Sequence, residues 1–264
     1  MKKFVILFII TFSFAFDNPK VENLMGSGNF NTYNKLLSKI FTINDTDVYD
    51  IVKKLKNNGL LDLFFDKAKI IDTKFSFIND NNILNSKILN DSLKSLGYYY
   101  FYVSEVEYKN NKLNLNIECK SEHYIDPVSL IDDMKIRGCE VLDLNRSDDG
   151  NFNYKFDCSN GIIKEAHILD DNNQRYINAS GVYWIENNIT NPYAKIEIKT
   201  KKLDYWHPSV WFYDKELNLL NNIKLNKKTT LLTLKIPAGC KYIKITDIYS
   251  VENFKRGIIV KGLK

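Results

Sequence analysis

The chain has little of what catalytic and metal centres are built from. Only three histidines occur, His123, His167 and His207, and none has a second ligand at metal-binding spacing. No nucleophile elbow and no phosphate-binding glycine loop is present. The four cysteines, Cys119, Cys139, Cys158 and Cys240, include no CxxC pair, which removes the common dithiol redox motif. Asp148-Asp149-Gly150 lacks the other ligand positions of a calcium loop and reads as a turn. Asp132-Asp133 and Lys201-Lys202 read as solvated charge. The net charge of +5 is spread among 32 acidic residues with no basic stripe, so nucleic acid is not an expected partner. These absences predict a chain that is not an enzyme and needs no metal and no cofactor.

Long apolar runs are also missing. The run from Phe4 to about Phe14 falls short of the roughly 20 residues that span a bilayer, and no later stretch is apolar enough. With Lys2 and Lys3 before it and Ser13 and Ala15 at the positions a leader peptidase inspects, residues 1–15 read as a secretory signal cut between Ala15 and Phe16. A periplasmic protein that does not span the membrane is the expectation. No cysteine near the cut suggests a lipid anchor, and a final Lys264 counts against an outer-membrane barrel. The 249 residues after the cut exceed one average domain.

What is present is a repeat. Ile51 to Gly59 (IVKKLKNNG), Leu89 to Gly97 (LNDSLKSLG) and Leu130 to Gly138 (LIDDMKIRG) share the template [IL]xxx[LM]KxxG. Aliphatics at i and i+4 share a helix face, Lys suits a helix carboxyl end, and Gly takes the left-handed conformation that stops a helix. Strand-like sequence follows each glycine. Tyr98 to Tyr108 and Lys112 to Lys120 flank a turn at Asn110-Asn111, and Cys139 to Arg146 and Asn151 to Cys158 flank Ser147 to Gly150. Asp126-Pro127 starts the third helix as cap and first helical residue. The first unit is more degenerate, with Leu60 to Phe65 and Lys69 to Ile78 as its two strands. The reading is α+β: tandem helix-hairpin modules near 47–78, 83–120 and 126–158, within a region 16–159. A helix on a two-stranded ribbon is not stable alone, so such units must share sheets with each other or with partner chains.

The stretch from Ile88 to Cys119, with Gly97 and Tyr98 at the end of a helix and a hairpin behind them, resembles the POTRA modules of envelope assembly proteins. It is also similar to strand-helix-strand-strand modules of flagellar basal-disk proteins. Val21 to Phe41, read as a strand, a glycine pair at Gly26 and Gly28, and a helix, strengthens the second likeness. The chain lacks the lipidation cysteine of some disk proteins and the carboxy-terminal barrel of POTRA transporters. The resemblance is to the FlgQ-like family of periplasmic flagellar accessory proteins of epsilonproteobacteria. It implies a structural role around the motor, in a homo-oligomer or ring, with envelope or flagellar disk proteins as partners.

From Gly161 to Lys264 the texture changes. Ala194 to Lys199, Val210 to Tyr213, Thr230 to Ile236 and Lys241 to Ile245 read as short strands of an antiparallel β-sandwich. Tyr205, Trp206 and Trp211 form a candidate glycan platform there, set against the reading that these aromatics are core. A glycan-binding envelope protein is therefore the alternative function. In an exported chain the cysteines invite disulfides. If Arg146 pairs with Asn151, Cys139 falls opposite Cys158, within reach of a disulfide. Cys119 and Cys240 are left as a second candidate pair or as free thiols.

Overall fold

The computed structural model describes residues 16–263 except 110, 111, 172 and 192. The expected leader up to Ala15 and the expected turn at Asn110-Asn111 therefore lie outside the described residues, while Phe16, on the far side of the expected cut, is buried. The fold is α+β, with five α-helices and fourteen strands among the described residues, in three mostly antiparallel sheets, none of them closed there. Among the described residues no helix is long and apolar enough to cross a membrane. Two compact units are present. Of the described residues, the first takes those up to Ile78, with Ser92–Lys135 and Cys139–Asp157, and the second takes Asn79–Asp91, Ile136–Gly138 and those from Cys158 onward.

The helices are α1 (Pro19–Met25), α2 (Ser27–Ile40), α3 (Val48–Asn57), α4 (Asn82–Ser95) and α5 (Pro127–Ile136). The strand expected at Val21 is the helix α1. Asn18 accepts bonds from the backbone N–H groups of Lys20 and Val21, and Pro19 sits at the first helical position, so the local sequence caps a helix there. Asp126 caps α5 in the same way, accepting from the N–H of Val128 at 3.1 Å.

The repeated template is one carboxyl cap used three times. Gly59, Gly97 and Gly138 have φ of 69°, 93° and 79°. In each repeat the residue after the glycine donates its N–H to the carbonyl of the template Leu or Met: Leu60 to Leu55 at 2.9 Å, Tyr98 to Leu93 at 2.9 Å, and Cys139 to Met134 at 3.0 Å. All six template aliphatics are buried. The Lys of the first repeat, Lys56, forms an ion pair with Asp126.

The strands of the first unit are β1 (Phe64–Phe77), β2 (Tyr102–Lys109), β3 (Lys112–His123), β4 (Glu140–Arg146) and β5 (Phe152–Asp157), in the order β2-β3-β1-β5-β4. The second and third repeats each supply a helix and a hairpin. The first does not: its two expected strands are the single strand β1, whose register shifts between Phe64 and Lys69. That strand pairs antiparallel with β3 and parallel with β5, so both hairpins are welded into one sheet.

Arg146 ties the loops at one end of this unit together. Its Nε donates to the Gly150 carbonyl at 2.9 Å, and its terminal nitrogens donate to the carbonyls of Leu61 at 3.2 Å and Asp62 at 3.1 Å. The guanidinium also lies 5.2 Å from the ring centres of Tyr124 and Phe152. Asp62, a non-glycine residue at φ 43°, is held in that conformation beside it.

The second unit contains β6 (His167–Leu169), β7 (Gln174–Ile177), β8 (Tyr183–Asn187), β9 (Lys195–Thr200), β10 (Pro208–Tyr213), β11 (Leu219–Lys224), β12 (Leu231–Lys235), β13 (Tyr242–Asp247) and β14 (Ile258–Leu263), with a 3-10 turn at Val251–Phe254. They form two sheets, β11-β10-β13-β8-β6 and β12-β9-β14-β7, around a core that includes Tyr183, Ile198, Trp206, Phe212, Ile245 and Phe254. The arrangement is sandwich-like, with β6 and β8 parallel.

The caps allow a graded test. A Cβ at Gly59 meets nothing within 4 Å, whereas one at Gly138 would lie 2.1 Å from the backbone oxygen of Asn160. Gly59→Ala should cost about 1 to 2 kcal/mol for the left-handed conformation alone. Gly138→Ala should cost about 3 kcal/mol or more, because backbone must also move. Denaturant melts of the two variants check the order; equal losses would contradict it.

Candidate functional site: an open sheet edge

The two edges of the five-stranded sheet are treated differently. The β4 edge is covered by α1. Lys20 Nζ bonds the carboxylate of Asp143 at 2.5 Å and the backbone oxygen of Leu144 at 3.3 Å. The Asn23 side chain accepts from the N–H of Arg146 at 2.8 Å and donates to its carbonyl at 3.0 Å. These side chains occupy backbone groups that another strand would use.

The β2 edge has no such cover among the described residues. Among the described residues β3 is the strand paired with it, and all eight residues of β2 are exposed. The register explains what they expose. Val103, Val106 and Tyr108 stand opposite Ile117, Leu115 and Leu113, which are buried, so they continue the apolar face of the sheet beyond the part that is covered. Val106 remains 63% and Tyr108 58% exposed. Tyr102, Glu105 and Glu107 fall opposite Glu118, Asn116 and Asn114 on the other face. The row is acidic, and the Asp72 carboxyl beyond it on β1 is pushed above the usual carboxylate range by burial and by Glu118, Asp149 and Glu105. A bulge at Ser104 keeps both rows in phase. Tyr99 and Tyr100 at the approach to β2 are also exposed, Tyr100 at 93%. Tyr98 instead turns in, its hydroxyl 3.0 Å from His123 Nδ1.

The first unit also has a half-open cavity of about 480 Å³. Leu61, Phe64, His123 and Tyr124 line it together with the Lys56 and Asp126 pair. Burial pushes the Asp126 carboxyl up, but bonds from Lys56 and Ser129 outweigh this and hold it below the usual range. Among the described residues no group of three or more His, Cys, Asp or Glu is placed to hold a metal.

The expected disulfide between Cys139 and Cys158 is present. The register that leads to it differs from the expected one. Arg146 pairs with Phe152 rather than Asn151, because Ser147 closes a longer turn by donating its N–H to the Asn151 carbonyl at 2.9 Å. A bulge between Val141 and Asp143 then takes up the extra residue, so Glu140 pairs with Asp157 and the cysteines follow in line. Of the two readings left open for Cys119 and Cys240, the structure has the free thiols rather than the second pair, and both are buried. Burial pushes both thiols up, Cys240 to about 12.

The aromatic platform is corrected too. Trp206 is wholly buried, stacked on Phe254 with ring centres 5.7 Å apart, and its Nε1 donates to the Thr246 carbonyl at 2.8 Å. Its faces are core. Tyr205 is exposed with Lys228 Nζ 3.6 Å from its ring centre. Trp211 lies on the outer face of β10, between the buried Val210 and Phe212. Asp132 is not simply solvated, since it accepts the Tyr49 hydroxyl at 2.6 Å.

No family model and no curated protein matches the chain. Among solved structures it is similar to the secreted serine protease VesC from Vibrio cholerae, at 9% identity and a TM-score of 0.23, covering 61% of this chain and 38% of that one. The chain thus spans well under half the length of that protease. The expectation that the chain is not an enzyme is withdrawn on this finding. A likeness of this size carries no argument for the protease's chemistry here.

The thiol assignments are open to direct measurement. Non-reducing peptide mapping should recover the Cys139 to Cys158 link, and alkylation of Cys119 and Cys240 should be slow until the chain is unfolded. A recovered Cys119 to Cys240 link, or rapid labelling of either thiol in the native chain, would contradict the structure.

Proposed function

We propose that this protein is an assembly component of the bacterial envelope that takes up a strand from a partner on the open β2 edge. The observation that carries the reading is the contrast between the sheet's two edges: α1 occupies backbone groups on β4, while eight consecutive residues of β2 present backbone and side chains to solvent. Strand addition satisfies such an edge with main-chain bonds, and alternate side chains give it specificity.

The partner that fits is one with aliphatic residues against Val103, Val106 and Tyr108 and without acidic residues against Glu105 and Glu107. A second copy of β2 fits poorly. An antiparallel pair centred on Val106 would set Glu105 against Glu107, and one centred on Glu107 would set that residue against itself. Oligomers of this chain, if the ring reading holds, use another surface.

The Cys139 to Cys158 disulfide supports export to an oxidising compartment. The reading of residues 1–15 as a secretory leader supports the periplasm, and the resemblance to basal-disk modules supports the flagellar motor as the host assembly.

Val106→Asp combined with Tyr108→Asp tests the edge without touching the core. Both positions are exposed, so the pair of substitutions should cost only about 1 to 2 kcal/mol, too little to unfold the unit. On fractionation of cells making the full chain, the parent should sediment with the high-mass envelope fraction that holds basal bodies, and the variant should be released from it. Equal sedimentation of the two would overturn the reading.

A further inference from the structure

On the outer face of the sandwich, cross-strand register builds a row that the sequence does not reveal. Trp211 on β10 stands opposite Lys244 on β13, and Lys244 stands opposite Trp184 on β8. Strands lie about 4.8 Å apart, so the backbones of the two tryptophans are about 10 Å from one another with that of a lysine between them. The inward neighbours Val210, Phe212, Ile243, Ile245 and Ile185 are fully buried, while Trp184, Trp211 and Lys244 are all partly exposed.

The row is set in position and short of negative charge. Trp211 Nε1 donates to Ser209 Oγ at 2.9 Å, and the Trp184 ring centre lies 5.7 Å from that of Tyr213. Three ammonium groups converge on the indoles: Lys224 at 4.9 Å from the Trp211 ring centre, and Lys87 at 5.1 Å and Lys244 at 5.8 Å from that of Trp184. Asp91 takes Lys87. Among the described residues no carboxylate pairs with Lys224 or Lys244. Burial, and then the charge of Lys87, push the Lys244 ammonium below its usual range, the direction expected of a cation without an anion.

We infer that the Trp211, Lys244 and Trp184 row binds an acidic oligosaccharide, its ring faces on the indoles and its carboxylates on the lysines. Flat aromatic surface with uncompensated cations would also suit single-stranded nucleic acid. A disulfide suits an oxidising compartment outside the cytosol, where nucleic acid is scarce, and the net charge is low for a nucleic-acid binder. This site is separate in its residues from the β2 edge, and its failure would leave that proposal standing.

Titration of the full chain at low salt with tetragalacturonate, read by calorimetry, tests the inference. Saturable binding is expected, at least tenfold tighter than to the neutral cellotetraose. Lys244→Gln and Trp211→Ala should each weaken it about tenfold. Lys224→Gln, on an exposed strand position, gives a third variant that should fold as the parent does and weaken binding several-fold. Absence of binding, equal binding of the neutral sugar, parent-like affinity in all three variants, or equal affinity for an oligothymidylate of matched charge would each overturn it.

Discussion

The position of β1 between two hairpins is the constraint on which the first unit depends. A fourteen-residue strand that pairs antiparallel with β3 and parallel with β5 leaves no choice about which strands end the sheet. They are β2 and β4, the outer strand of each hairpin. Two modules too small to stand alone become one sheet, and the cost of that solution is a pair of edges. The chain covers one with α1. The other is the surface on which the functional reading rests.

The remaining features of that unit keep β1 and its neighbours in place. Each template glycine stops a helix so that the chain can enter a strand or the turn leading to one, and the bond from the following N–H to the template Leu or Met fixes the exit direction. Arg146 then gathers the Gly150 turn and the loop that leads into β1, with its charge spread over two aromatic rings and its donors spent on carbonyls. Loss of this side chain would leave several backbone carbonyls unpaired at once, a larger penalty than the loss of one surface ion pair.

Much of this was legible in the sequence, and the limits have physical causes. The cap template was readable because a left-handed residue leaves a glycine at a fixed distance from buried aliphatics. The disulfide was reached through a register one residue out at the turn, and a bulge between Val141 and Asp143 restored it; bulges leave no consistent local signature. The strand expected at Val21 was helix because Asn18-Pro19 outweighs the local apolar pattern. Of the nine sandwich strands, β6, β7, β8, β11 and β14 went unread, being short or without clean alternation. With β8 went Trp184, and so the row it makes with Trp211. Trp206 was legible as an aromatic but not as core, because its burial comes from loop packing against Phe254 rather than from strand periodicity. The open state of β2 was out of reach for a different reason: the alternation of Val103, Val106 and Tyr108 is that of any half-buried strand, and only the three-dimensional arrangement shows that all eight residues of β2 are exposed.

Amide hydrogen exchange along β2 measures the central claim most directly. In the isolated chain, the β2 amides that do not bond β3 should exchange fast, while those of β4, bonded by Asn23 at Arg146, should be protected. In the assembly recovered from the envelope, the same β2 amides should become protected and the β4 pattern should stay as it was. Fast exchange along β2 in the assembled state would contradict the account.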